Sequence, residues 1–234
     1  LGMDFSYNIS EKDKCWYKKI CDCSRCGNDF CVRHYKMNCL VSMACLEGNQ
    51  RYPITLTLDS DSVDEIAYNK LVSIQQDINN FVLAGKNLYI FGSPGNGKTE
   101  WSKKLILSWF DSIWSTTELE CRGLFISMPK LFSALKNNIN KEDEYFQYIE
   151  ENVLKADLVV WDELNYKDMS DFEKTFFFNC IDQRMSVGKS NIFTTNVTPE
   201  IALKKLGPRL NSRVLGKSIR IEFKGTDKRT LEVE

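Results

Sequence analysis

The 234-residue sequence has no run of 18 or more apolar residues, and its opening residues, Leu1-Gly2-Met3-Asp4-Phe5-Ser6, lack the basic and apolar stretches of a secretory signal. A helix that crosses a bilayer needs about 20 apolar residues, so a membrane-spanning reading is excluded and a cytoplasmic protein is expected. An excess of charge is also missing, with 31 Lys and Arg against 32 Asp and Glu. Neither a histone-like nucleic-acid binder nor an acidic solvating chain fits that balance, and any basic surface must be local. There is no internal repeat and no low-complexity tract. What is present is ordinary globular material: 43% hydrophobic residues in a chain of this length can bury a core without covalent staples, as one large domain or one domain with a small appendage.

Cysteine divides the chain. Seven of its nine cysteines lie in the first 45 residues: Cys15, Cys21, Cys23, Cys26, Cys31, Cys39 and Cys45. An odd count in a reducing compartment argues against a disulfide framework and for metal binding. Cys21, Cys23, Cys26 and Cys31 are the expected tetrahedral zinc ligands, with His34 the leading substitute and Cys39 or Cys45 behind it. Such a zinc ion is structural, closing a piece too small to build its own core. Residues 1–50 therefore read as an N-terminal cysteine-rich region, and 51–61, with Pro53, as a linker.

From residue 62 to 234 the pattern alternates between helix and strand. Ser62-Val63-Asp64-Glu65 reads as a capping box opening one amphipathic helix, with Ile66, Leu71, Ile74, Ile78, Phe81 and Val82 on its apolar face and an end at Gly85. Short apolar strands are expected at 87–91, 123–127, 158–161, 191–195 and 218–223. Helices separate most of them, one opening with the capping box Ser170-Asp171-Phe172-Glu173. That alternation predicts an α/β fold with a parallel sheet covered on both faces.

Four constellations carry chemistry. Gly92-Ser93-Pro94-Gly95-Asn96-Gly97-Lys98-Thr99 sits between a strand and a helix and fits the phosphate loop at every fixed position. Its glycines let backbone N–H groups wrap phosphates, Lys98 neutralises β/γ oxygens and the Thr99 hydroxyl reaches Mg²⁺. The strand 158–161 ends in Asp162-Glu163, which predicts a carboxylate for the magnesium shell and a second to polarise the attacking water. Thr194-Thr195-Asn196 ends the following strand and offers the Asn196 amide to that water or to the γ-phosphate. Finally, residues 204–229 hold nine Lys or Arg against two acids, and Arg209 and Arg213 share one helical side at i, i+4. That basic end suits a neighbouring subunit's nucleotide or a phosphate backbone.

Together these motifs, in this order, resemble the AAA+ helicase loaders of the DnaC/DnaI type, close to versions from low-GC bacteria and phages. The resemblance also runs through the cysteine cluster and the segments 85–90, 156–162, 190–196 and 222–225. It implies a P-loop AAA+ (ASCE) sheet flanked by helices, without a C-terminal lid domain, and a small N-terminal zinc-binding region that engages a helicase. It further implies ATP, Mg²⁺ and Zn²⁺ as cofactors, a hexameric replicative helicase and single-stranded DNA as partners, and self-association. In that frame Asn196 is a sensor of the γ-phosphate and Arg213 an arginine finger acting in trans, with Arg209 in support and Arg229 as a second sensor. A transposition helper ATPase of the IstB type shares the core and differs in its partner; a zinc-dependent DNA-binding adaptor that only senses ATP is the non-enzymatic alternative.

Overall fold

A computed structural model describes residues 31–46, 54, 56, 63–139, 141–164 and 167–225. The apolar runs form the expected strands, β1 (Asn87–Gly92), β2 (Gly123–Ser127), β3 (Leu158–Leu164), β4 (Ser190–Thr195) and β5 (Ser218–Phe223). All pairings are parallel, in the order β2-β3-β4-β1-β5. Alternate residues of β1 to β4 enter opposite cores, while the edge strand β5 buries Ile221 and Phe223 and exposes Ile219, Arg220 and Glu222. Leu88, Ile90, Val160 and Ile192 pack with helices α1 (Val32–Met43), α2 (Glu65–Gln76), α3 (Ile78–Leu83) and α4 (Lys98–Ile113). Tyr89, Phe91, Val159, Trp161 and Phe193 pack with α5 (Met128–Asn137), α6 (Glu144–Asn152), α7 (Asp171–Ser186), α8 (Pro199–Leu206) and α9 (Pro208–Val214). The four strands β1 to β4, covered on both faces, have no solvent side, which is why they read as apolar runs. Parallel strands also bring the ends of β1, β3 and β4 to one edge of the sheet, where α/β folds place their ligands.

Two local expectations need correction. The single helix expected from the 62–65 capping box to Gly85 is two helices, broken at Asp77, and Ile66 is 73% exposed instead of lying on the apolar face. Nor does a side-chain cap form at α2, although Ser62 itself lies outside the described residues. Asp64, at the N-cap position, turns its carboxylate away to accept from the backbone N–H groups of Lys224 and Gly225 at 2.6 and 3.1 Å, tying the start of α2 to the chain beyond β5. At α7 the capping box forms as expected, with Ser170 and Glu173 exchanging both bonds. Burial raises the Glu173 carboxyl, but the bonds from Lys167 and Ser170 outweigh it and hold the group below its usual range.

Helix α1 lies within the region expected to be set apart by its cysteines, yet it packs on the sheet. Met37, Leu40, Val41 and Ala44 join the α4 side of the core, Arg33 pairs with Asp111 at 2.6 Å, and Phe125 N–H donates to the Ala44 carbonyl at 2.8 Å. Cys39 is enclosed in this contact at 3% exposure, whereas Cys31 stands half-buried at the helix start.

At the end of the sheet away from the strand C-termini, Arg184 is buried without exposure. Its guanidinium donates to the carbonyls of Val153, Ala156 and Ser190 and to Asn191 Oδ1. The same Asn191 oxygen accepts from Trp161 Nε1 at 3.1 Å, and the Trp161 ring meets Phe177 edge-on at 5.0 Å. A bulky tryptophan before the acidic pair thus has a structural reason: its indole fills the α7 side of the sheet and its N–H completes a buried polar network.

Candidate functional site

The loop between β1 and α4 is held open by its glycines. Gly92 has φ +142°, and a Cβ there would lie 2.1 Å from the Phe223 carbonyl oxygen; Gly97, at φ +93°, has free space but a backbone that L side chains rarely adopt. Gly97 caps α4, so the first turn of a 16-residue helix aims its N–H groups into the loop. Lys98 is nearly buried and donates to the carbonyls of Gly92 and Ser93 at 2.9 and 2.6 Å and to Asn96 Oδ1 at 3.0 Å. Asn96, itself 2% exposed, donates to the Phe223 carbonyl and fastens the loop to β5. Ser93 and Pro94 are exposed at the tip.

Next to this loop, Thr99 Oγ1 donates to Asp162 at 3.0 Å. Thr194 Oγ1 donates to the same carboxylate at 2.5 Å. Burial pushes the Asp162 carboxyl up, while the two hydroxyls and the ammonium groups of Lys103 and Lys98 pull against that shift. A hydroxyl and a carboxylate in contact beside a phosphate-wrapping loop are an oxygen donor set suited to Mg²⁺, which bridges phosphate oxygens and takes few protein ligands. The sequence therefore fits ATP with Mg²⁺ here.

Glu163 is displayed by a break in the β3–β4 ladder. Trp161 pairs with Phe193 and Leu164 with Thr195, so Asp162 and Glu163 face Thr194 alone, a β-bulge. Glu163 takes φ +60°, uncommon for a residue with a side chain, and is exposed while Asp162 beside it is 6% exposed. The bulge turns two adjacent carboxylates to two environments, one buried on Thr99 and one open to solvent at the strand end. Asn196 follows the end of β4 and is exposed at the same edge.

Arg209 and Arg213 project from α9 onto α7 of their own chain. Arg209 stacks over the Phe178 ring at 4.2 Å and Arg213 pairs with Asp182 at 2.6 Å. Their i, i+4 spacing matches that of their partners on α7. Cys21, Cys23, Cys26 and Arg229 lie outside the described residues, and among the described residues no cluster of three metal-ligating side chains occurs.

Comparison with known families places this geometry. The profile described as IstB-like ATP binding protein matches residues 33–201, from α1 into α8. The chain belongs to that family. No curated protein matches the sequence. Among solved structures, the DnaC helicase loader is similar at 22% identity and TM-score 0.57, covering 71% of this chain and 94% of that one. DnaI is similar at 18% identity and TM-score 0.55, covering 74% and 88%. A putative primosome component from Streptococcus pyogenes serotype M3 is similar at 16% identity and TM-score 0.60, covering 82% and 98%. These likenesses establish a shared fold, a parallel five-stranded sheet flanked by helices, and the family supplies ATP binding. The IstB-like match begins at the second residue of α1.

Within this family member the sequence pointed to Asp162, Glu163 and Asn196 but gave no role to Thr194 or Lys103. Lys103 is one helical turn beyond Thr99, 6% exposed and paired with Glu100 at 2.7 Å. Its spacing from Thr99 was the available signal. For Thr194 the signal was a hydroxyl at the strand position opposite two carboxylates, visible only once register is known.

Proposed function

We propose that this protein is an AAA+ ATPase that binds a hexameric replicative DNA helicase and delivers it onto single-stranded DNA, hydrolysis timing its release. The observation that carries the ATPase part is the contact of Thr99 with Asp162 beside the loop that holds Lys98, with Glu163 turned out at the adjacent bulge. Lys98 must leave its carbonyl contacts to reach β- and γ-phosphate oxygens. The loop N–H groups and the α4 N-terminus hold the remaining phosphate charge. Mg²⁺, bound by Thr99 and Asp162, would neutralise charge developing on the phosphates. Glu163 accepts a proton from water as the water oxygen bonds to the γ-phosphorus, and the bond from that phosphorus to the β–γ bridging oxygen breaks, giving ADP and phosphate. Asn196 orients the water, and Arg213, with Arg209 in support, completes the site of a neighbouring subunit.

The loader reading is supported by the coverage of DnaC and DnaI, of which this chain accounts for 94% and 88% of the length. Light scattering on a sizing column, with the host replicative helicase, ATP and Mg²⁺, is expected to show a stable complex that a Lys98→Ala control does not form in the same nucleotide-dependent way. Absence of a complex in every nucleotide state sinks the loader reading. The family name favours the second reading, a transposition helper, and the same column run with the cognate transposase decides between them.

The N-terminal region is proposed to be a zinc module that contacts the helicase. Cys23 and Cys26 form a Cys-x-x-Cys pair flanked by Cys21 and Cys31, and Cys31 sits at the start of α1, outside the core that encloses Cys39. A native mass of the full chain is expected to carry one zinc, lost on Cys23→Ser and Cys26→Ser. A metal-free native mass rules the module out.

A further inference from the structure

We propose that Thr194 is a positioning residue for ATP hydrolysis, one hydroxyl fixing both carboxylates of the acidic pair; this rests on the ATPase reading above. Thr194 is 1% exposed, and its Oγ1 makes two contacts, to Asp162 Oδ1 at 2.5 Å and to the Glu163 backbone N at 3.0 Å. The direction of each bond is forced. A backbone N–H can only donate, so the hydroxyl accepts from Glu163 and spends its single hydrogen on Asp162. Both residues belong to the bulge, where two residues of β3 face Thr194 alone.

A bulge leaves the extra residue without a ladder partner. Here the Thr194 side chain supplies that partner: it takes the Glu163 N–H and so holds the residue at φ +60°. Without this acceptor, Glu163 has no reason to keep a left-handed backbone, and relaxing it re-aims the carboxylate. Thr99, the other donor to Asp162, must offer its oxygen to a bound cation, whereas Thr194, enclosed in the sheet, has no second duty. Thr195, the next residue, closes the far side of the bulge by donating to the Leu164 carbonyl at 2.6 Å and touches neither carboxylate. A single hydroxyl on β4 therefore sets where the metal-side carboxylate and the water-side carboxylate stand relative to each other.

The test uses the full chain as wild type, Thr194→Val, Thr194→Ala and Thr194→Ser, each checked for thermal unfolding and for binding of a fluorescent ADP analogue. Steady-state ATP hydrolysis is expected to show kcat lowered on the order of 10²-fold in Val and Ala, the cost of a misplaced reacting group. KM for MgATP is expected to stay within about threefold, and Ser, which keeps the hydroxyl, to return kcat to within about threefold of wild type. Val or Ala turning over like wild type overturns the proposal. So does a Ser variant as slow as Val, or a loss of ADP-analogue affinity matching the loss of kcat, since either makes the residue structural. A wild-type chain that binds ATP and does not hydrolyse it overturns the ATPase reading itself, and that result is read before any variant is compared.

Discussion

Glu163→Gln is expected to bind ATP as the wild type does and to lose turnover by ~10²–10⁴-fold, the usual contribution of a positioned general base. Gln keeps the size and the backbone position at the bulge, and Glu163 is exposed, so no buried partner is lost and the fold is unaffected. The amide cannot take the proton from water, which isolates the chemical step. An arginine supplied in trans gives the companion result. Arg213→Ala is expected to lower assembled turnover by ~10³–10⁵-fold. Each variant is then nearly inactive alone, but a mixture must recover activity, because a Glu163→Gln subunit lends an intact Arg213 to a neighbour with an intact Glu163. Recovery on mixing, followed as phosphate release, separates trans action from a cis role through Asp182, to which Arg213 is paired in the single chain. No recovery removes Arg213 as the finger and leaves Arg209 as the candidate to mix next. If Glu163→Gln hydrolyses ATP at the wild-type rate, the water-side role is wrong.

Much of this site was legible because its signals are local. The phosphate loop is contiguous, glycines mark the backbone the loop requires, and the sheet strands are short apolar runs whose burial on both faces removes ambiguity about alternation. The capping box of α7 is equally local. What failed depends on distant partners. Asp64 reads as part of an N-terminal cap, but two N–H groups beyond β5 compete for its carboxylate and win. The break at Asp77 is hidden because Ile78, Phe81 and Val82 continue the apolar face after the helix restarts. The partner of Trp161 is Asn191, which its N–H meets only across the sheet, and Thr194 stands opposite Asp162 and Glu163 only because of the bulge, so neither contact is visible in the sequence. Arg209 and Arg213 were legible as a pair; their partners Phe178 and Asp182 were not, since nothing in α7 marks which face meets α9.

Arg184 is the clearest case of a residue invisible to motif reading, and its removal carries the largest expected loss of stability. It lies on α7 as one more basic residue in a helix's last turn, where a cation is ordinarily solvated. Instead the guanidinium is fully enclosed, and burial lowers its pKa to about 9. Its compensation comes from oxygens: the carbonyls of Val153 and Ala156 after α6, that of Ser190 opening β4, and Asn191 Oδ1. These groups come from the segment after α6 and from β4, so one side chain on α7 closes the end of the sheet opposite the nucleotide site. Arg184→Met keeps the length and apolar stem but strands those acceptors, and stranding buried polar groups costs more than an average hydrogen bond contributes. Leaving a buried acceptor unsatisfied costs ~1–3 kcal/mol, so stranding several together costs upward of ~3 kcal/mol, and at roughly 2–4 °C per kcal/mol for a chain this size the midpoint should fall by about 6 °C or more. Arg184→Lys should fall between, since one ammonium with three donors cannot span the fork that meets Asn191, Ser190 and the α6 carbonyls together. Thermal unfolding followed by circular dichroism checks both. A midpoint for Arg184→Met within about 2 °C of wild type would mean that water replaces the guanidinium without loss and that the network does not hold this end of the sheet. With the expected fall, ADP-analogue affinity measured well below the midpoint should stay at the wild-type value, because the phosphate loop is fastened to β5 through Asn96 and Phe223 and draws nothing from Arg184.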